Sequence, residues 1–210
     1  MASDRHIRVA EPGTVEGGTV TGGDTPAIRE IYAHFCESTP VTFEERAPSV
    51  AALSERIRST LERYPWLVCE RDGEVVGYAY ASQLRKRHAY QWVVELSVYV
   101  AAAVRRSGIG RGLYESLFAI LERQGVRDAY AVTTVPNPET VRFHERLGFE
   151  RLADFPAIGH THGDWQDVAW WRRPLGEKTA DPEPITSFSD LREDPDVRSL
   201  IAAGEAFLER

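Results

Sequence analysis

A mixed α/β or α+β fold in a single domain is what this sequence predicts, and three observations carry the prediction. The 210 residues are 42% hydrophobic, enough chain and enough apolar material for one domain with its own core. Short β-rich runs come early, and a strand–helix–strand–helix–strand alternation follows them. Between two of the early runs stands Asp72-Gly73, the signature of a tight hairpin turn.

The elements follow in order. Ile7 to Ala10 reads as a first strand, and Pro12 to Gly23 as a glycine- and threonine-rich loop, with Thr19 to Thr21 able to extend a strand. Asp24 is placed to cap a helix whose first turn accepts Pro26, and Ile28, Ile31, Tyr32 and Phe35 recur at helical spacing. Val50 to Arg63 is a second helix capped by Ser49. Trp66 to Glu70 and Val75 to Ser82 form the hairpin, and Gln91 to Val100 is a long strand. Gly108 to Arg123 is a helix with Leu113, Leu117, Ile120 and Leu121 on one face. Ala129 to Val135 is a strand, Pro138 to Leu147 a helix with proline in its first turn, and Trp165 to Arg172 a final strand. Thr179 to Pro195 has the composition of a linker, after which Val197, Leu200, Ile201, Phe207 and Leu208 make a helical stripe, expected as a helix docked on its own body or a dimer mate, with a binding segment for another protein as the alternative. Residues 1–176 are expected to form the domain and 177–210 an acidic extension.

Composition excludes several function classes. Charged residues at 27% argue against global disorder. The longest apolar runs, such as Val98 to Val104, fall far short of the ~20 residues of a membrane helix. Met1 to Ile7 lacks the apolar stretch of a secretory signal, and two cysteines, Cys36 and Cys69, are too few for a disulfide scaffold, so a reducing, cytoplasmic setting is expected. The net charge of −7 argues against nucleic acid as partner. Nine acids and four bases lie from Glu177 onward, so the tail carries a net −5 and the body is close to neutral.

The densest chemical signal is Arg105-Arg106-Ser107-Gly108-Ile109-Gly110-Arg111-Gly112, between a strand and a helix. Glycines let the backbone approach a ligand, the N–H groups of a helix start attract anions, and three arginines add positive field; a diphosphate fits. No lysine follows in the P-loop position, and the dinucleotide fingerprint wants glycine where Leu113 stands. Arg105-x-x-Gly108-x-Gly110 instead resembles the pyrophosphate signature of the GCN5-related N-acetyltransferases (GNAT), which bind acetyl-coenzyme A. A second family signature follows, with Asn137, then His144, then Gly148-Phe149. Tyr64 to Val68, Asp72 to Val75, His88 to Trp92, Glu95 to Val100, Pro136 to Gly148 and Gly163 to Val168 look like the phosphinothricin N-acetyltransferases and their amino-acid-acetylating relatives. The likeness runs from about Asp24 to Trp171; residues 12–23 and the tail have no counterpart in it.

That resemblance implies a central mixed, mostly antiparallel sheet flanked by helices, acetyl-CoA as co-substrate, a homodimer, no metal, and a small L-amino acid or analogue such as phosphinothricin, methionine sulfoximine or methionine sulfone as acceptor. For the coenzyme it implies backbone contacts from Val98, Tyr99 and Val100, the turn Arg105, Arg106, Ser107, Gly108, Ile109 and Gly110, and Asn137 on the pantetheine arm or as a helix cap. Glu95, a carboxylate between Val94 and Leu96, suits partial desolvation and a raised pKa, and matches the family's base; a salt-bridged structural acid is the competing reading. His144 is a candidate proton donor to the departing thiolate or a relay, or else a packed helix histidine. Phe43, Tyr80, Arg85, Arg87, Ser97, Tyr99 and Arg106 match acceptor-pocket positions, with Arg85 where the family more often has lysine and Ser97 in place of threonine. His160-x-His162 with Asp164 invites a zinc reading, but no third nitrogen or sulfur ligand accompanies it. Two other functions compete: acetylation of a different amine, such as an aminoglycoside or a protein N-terminus, and a non-catalytic coenzyme-binding module.

Overall fold

The computed structural model describes residues 4–208. Its spine is a seven-stranded sheet in the order β1-β4-β5-β6-β7-β9-β8. The strands are β1 (Arg5–Val9), β4 (Trp66–Arg71), β5 (Glu74–Gln83), β6 (Val93–Val100), β7 (Asp128–Val135), β8 (Glu150–Thr161) and β9 (Asp164–Pro174). Every neighbouring pair is antiparallel except β6 and β7. A separate small hairpin pairs β2 (Thr14–Glu16) with β3 (Thr19–Thr21). Five of the six helices are the expected pieces: α1 (Thr25–Ser38), α2 (Val50–Arg63), α3 (Ile109–Gln124), α4 (Pro138–Arg146) and, in the tail, α6 (Val197–Ala202). The mixed, mostly antiparallel sheet flanked by helices is the fold that the sequence predicts.

Local chemistry explains most of these elements. Asp72 and Gly73 both have positive φ, 53° and 87°, the geometry of a type I′ turn, so the β4–β5 hairpin closes in two residues. Ser49 accepts a hydrogen bond from the Ala52 N–H and starts α2, and Asn137 does the same for the Thr140 N–H of α4. Gly108 and Gly125, at φ 78° and 90°, bracket α3, and Gly77 clears the way for it, since a Cβ there would stand 2.9 Å from Ile109. The predicted apolar stripe Leu113, Leu117, Ile120 and Leu121 is fully buried against the sheet.

The structure departs from the sequence reading in five places. Asp24 does not cap α1; its carboxylate accepts from the Glu11 N–H and pairs with Arg8, so a long-range ion pair claims the group that the local rule assigns to the helix. The loop at 12–23 contains the β2–β3 hairpin. The strand expected from Gln91 begins at Val93, because His88–Tyr90 form a single 3₁₀ turn closed by the Gln91 N–H. β8 is an added strand whose twelve residues are nearly all exposed, so it lacks the alternation that marks a half-buried strand. The tail forms a further short helix, α5 (Phe188–Leu191), inside the expected linker.

The tail is packed rather than free. Phe188, Leu191 and Val197 join the same core as α2 and α3. The Trp92 indole donates to the Glu183 carbonyl, Gln124 donates to the Thr186 carbonyl, and Lys178 pairs with the fully buried Asp128, which also binds Arg172 at 2.8 Å. Among the described residues no helix is long and apolar enough to cross a membrane.

Candidate active site

The site begins where β6 and β7 part. These parallel strands are in register only from Val93↔Asp128 to Glu95↔Tyr130. Beyond Glu95 they splay, and a cleft of about 910 Å³ opens between Leu96–Val100 on one side and Ala131–Thr134 on the other. The backbone groups on that edge of β6 lose their strand partner at the point where a ligand would need them. The first turns of α3 and α4 close the cleft, with Gly110 so near the α4 ring of Phe143 that an added Cβ would stand 3.3 Å from it.

Most predicted coenzyme residues meet here: Val98, Tyr99, Val100, Arg105, Arg106, Gly108, Ile109, Gly110 and Asn137 all line the cleft. Ser107 does not; its hydroxyl donates to the Val104 carbonyl at 2.6 Å and braces the turn. Arg106 holds a left-handed backbone, φ 64°, and pairs across the cleft mouth with Glu139 of α4 at 2.8 Å. Arg105 lies over the Phe35 ring at 5.4 Å. Sequence reasoning missed the β7 wall (Thr133, Thr134) and Tyr114 of α3; Arg111, one of the three arginines of the turn, lines the cleft as well. The β7 wall had no motif to mark it, because it becomes a wall only through the divergence of its neighbour.

Strand alternation puts Glu95, Ser97 and Tyr99 on one face of β6. In register with them on β5 are Tyr80 opposite Ser97 and Tyr78 opposite Tyr99. Tyr80 stacks on Trp66 at 4.0 Å. Tyr32 and Phe35 of α1 pack edge-on against Tyr99, both at 5.1 Å. Glu95 sits at one end of this aromatic patch. Burial pushes its carboxyl above the ordinary carboxylate value, and the charge of Arg85 opposes that shift.

The remaining acceptor residues are dispersed. Arg85 is exposed and stacks over Trp170 at 5.9 Å, Arg87 is exposed beside the 3₁₀ turn, and Phe43 packs on Gly159 of β8; none of the three lines the cleft. Ser97, Tyr99 and Arg106 do.

His144 is buried on α4, stacked at 5.8 Å on Trp171 and ringed by Tyr114, Phe143 and Phe149. Its Nδ1–H donates to the Thr140 carbonyl at 2.9 Å, and its buried Nε2 has no hydrogen-bond partner among the described residues. Burial pushes the imidazole down to about 4, so at neutral pH it is uncharged. In this neutral ring Nδ1 carries the proton and Nε2 a lone pair. His162 is a tether; its N–H donates to Glu45 and its ring bonds the Cys36 carbonyl at 3.0 Å, which holds the β8–β9 turn on the end of α1. Among the described residues no group of three or more His, Cys, Asp or Glu could hold a metal ion.

Comparison with known proteins agrees with this geometry. Residues 19–170 match the family model described as an acetyltransferase (GNAT) domain. The phosphinothricin N-acetyltransferase of Streptomyces viridochromogenes is 37% identical over 177 residues, which cover 84% of this chain and 96% of the relative. The L-methionine sulfoximine/L-methionine sulfone acetyltransferase of Salmonella typhimurium is 33% identical, over 75% of this chain and 92% of its own. Among solved structures, a phosphinothricin acetyltransferase from Sinorhizobium meliloti in complex with AcCoA superposes with a TM-score of 0.76 at 33% identity, covering 90% of this chain and 99% of that one. The likeness runs over most of the chain that forms the splayed strands and the glycine–arginine turn, and this chain belongs to the GNAT acetyltransferase family.

Proposed function

We propose that this protein transfers the acetyl group of acetyl-CoA to the amine of a small L-amino acid or analogue, of the phosphinothricin, methionine sulfoximine and methionine sulfone class. The observation that carries the reading is the continuity of two surfaces on β6. The splayed edge leads from the arginine-flanked helix start, and the same strand presents Glu95, Ser97 and Tyr99.

The donor set fits the coenzyme. Free N–H groups at the start of α3, with Arg105 and Arg106 beside them, suit a diphosphate, and the partly apolar walls of β6 and β7 suit the pantetheine arm. Asn137 stands at the same cleft with its side-chain oxygen already capping α4. Backbone N–H groups among Val98, Tyr99 and Val100 polarise the thioester carbonyl, as an oxyanion hole does.

Glu95 is the base. Its raised pKa brings a carboxylate toward the value at which it accepts the amine's proton, directly or through one water. The neutral amine nitrogen attacks the carbonyl carbon, a C–N bond forms, the C–S bond breaks with its electron pair leaving on sulfur, and the proton that the nitrogen sheds on becoming an amide ends on the thiolate. A thiol of ordinary pKa, ~8.5, departs as a thiolate without a strong acid, so a neutral His144 is compatible with turnover as a relay acceptor. Tyr80 and Ser97 shape the acceptor side, and Arg85, whose charge reaches Glu95, supplies positive field for the acceptor's acidic group. Two buried unpaired cysteines fit the cytoplasm, and the open edge of β8 fits a homodimer.

The test is release of coenzyme A across a panel of amino acids and larger amines, with Glu95→Gln beside wild type. The variant is expected to lose about 10²–10⁴-fold in kcat and, because a desolvated charge is gone, to melt no lower than wild type. Full turnover by Glu95→Gln removes Glu95 from the mechanism, and preference for an aminoglycoside removes the amino-acid acceptor.

A further inference from the structure

We infer that the C-terminal strap, residues 201–208, is part of the coenzyme site: Phe207 positions Arg111 so that its guanidinium meets a phosphate of the bound coenzyme. The inference rests on the reading of the cleft as the acetyl-CoA site and extends it to a segment that lies beyond the family match, which ends at residue 170.

The third glycine of the turn, Gly112, leads to it, because neither the diphosphate signature nor any nucleotide motif needs it. In the fold Gly112 is buried under the strap. A Cβ on Gly112 would stand 2.7 Å from the Gly204 carbonyl oxygen, and one on Gly204 only 1.8 Å from that of Gly112. The two backbones cross in direct contact, which only a glycine pair permits. One turn further along α3, the Ser116 hydroxyl donates to the Ile201 carbonyl at 2.5 Å and accepts from the Gly204 N–H at 3.1 Å. Glu205 then accepts from the Ile7 N–H of the edge strand β1 at 2.9 Å. The strap is thereby fixed to the first two turns of the helix whose N-terminus faces the cleft.

This fixation delivers Phe207 to Arg111. The guanidinium carbon lies 4.0 Å from the ring centroid, a close cation–π stack. Nε of Arg111 faces Glu115 at 3.5 Å. With one face on the ring and Nε engaged, the terminal NH₂ groups are the donors left for an anion, and Arg111 lines the cleft beside Gly108 and Gly110. More than half exposed, the arginine would otherwise spend much of its time in solvent. The ring lowers the entropy that a phosphate contact must overcome.

The experiment is calorimetric titration of acetyl-CoA into the full chain, with initial rates at varied acetyl-CoA. It compares wild type, Phe207→Leu, Arg111→Gln and the double variant. Phe207→Leu is expected to weaken binding about three-fold and raise KM for acetyl-CoA alike, with kcat unchanged, and Arg111→Gln to weaken it about ten-fold. Because Phe207 acts through Arg111, the double variant binds as Arg111→Gln does. Unchanged binding by Phe207→Leu overturns the inference, as does a double variant weaker than Arg111→Gln by the full Phe207 factor. A wild-type protein that binds no acetyl-CoA at all overturns the reading of the cleft itself, a separate and distinguishable result.

Discussion

Burial shifts Glu95 and His144 in opposite pKa directions, and in both it disfavours the charged form. Glu95 is pushed up and His144 down to about 4, each toward neutrality. For His144 the consequence is a pH-dependent stability. The unfolded imidazole takes a proton near pH 6.5 and the folded one only near 4, so acidification across that window favours the unfolded chain. The contribution is intact above pH 6.5 and falls by on the order of 3 kcal/mol as pH reaches 4. Urea unfolding at pH 7 and pH 4.5 should show this slope in wild type and a flatter one in His144→Phe; equal slopes would refute it. The Glu95 shift was legible in the sequence, because a carboxylate between Val94 and Leu96 on a strand has little room to stay hydrated. That of His144 was not, since its cage is assembled from α3, α4 and β9 residues distant in sequence.

At the scale of elements, β6 and β7 do the work of making a site by failing to pair beyond Glu95. β8 poses the opposite problem, an edge with no partner. Leu152, Phe155 and Ile158 on it are 50%, 39% and 52% exposed, and Trp165 in the adjoining strand is 67% exposed. A long apolar edge of this kind is ordinarily covered, and the proposed second copy of the chain would satisfy both its backbone groups and its side chains. Light scattering is expected to find a dimer for wild type and a monomer for Ile158→Asp; a wild-type monomer sinks the proposal. β8 escaped the sequence reading for the same reason that it is available, for its residues never alternate between core and solvent. The hairpin at Asp72-Gly73 and the cap at Ser49 were readable because each depends on a few contiguous residues.

For the whole molecule, the tail is set apart by its net −5 but not by its packing: its apolar residues complete the core over α2 and α3, and its last turn reaches Arg111 at the cleft. Truncation after Gly176 strips Phe188, Leu191 and Val197 from that core and Lys178 from buried Asp128. A loss of roughly 5 kcal/mol in unfolding free energy is expected from the three side chains alone, read from denaturant curves; an unchanged midpoint would show that the tail is dispensable.

The sequence by itself determined what short stretches can encode. These are the turn and cap chemistry, the helical stripes, the glycine–arginine anion turn and the alternation that sets Glu95 beside Ser97 and Tyr99. Backbone dihedrals and side-chain period are local properties, so they survive outside the fold. Only the tertiary structure decided where β6 leaves β7, that Asp24 serves Arg8 rather than its helix, that His144 is neutral, and that Gly112 meets Gly204. Each of those depends on desolvation or contact between segments far apart in the chain, which no local spacing records.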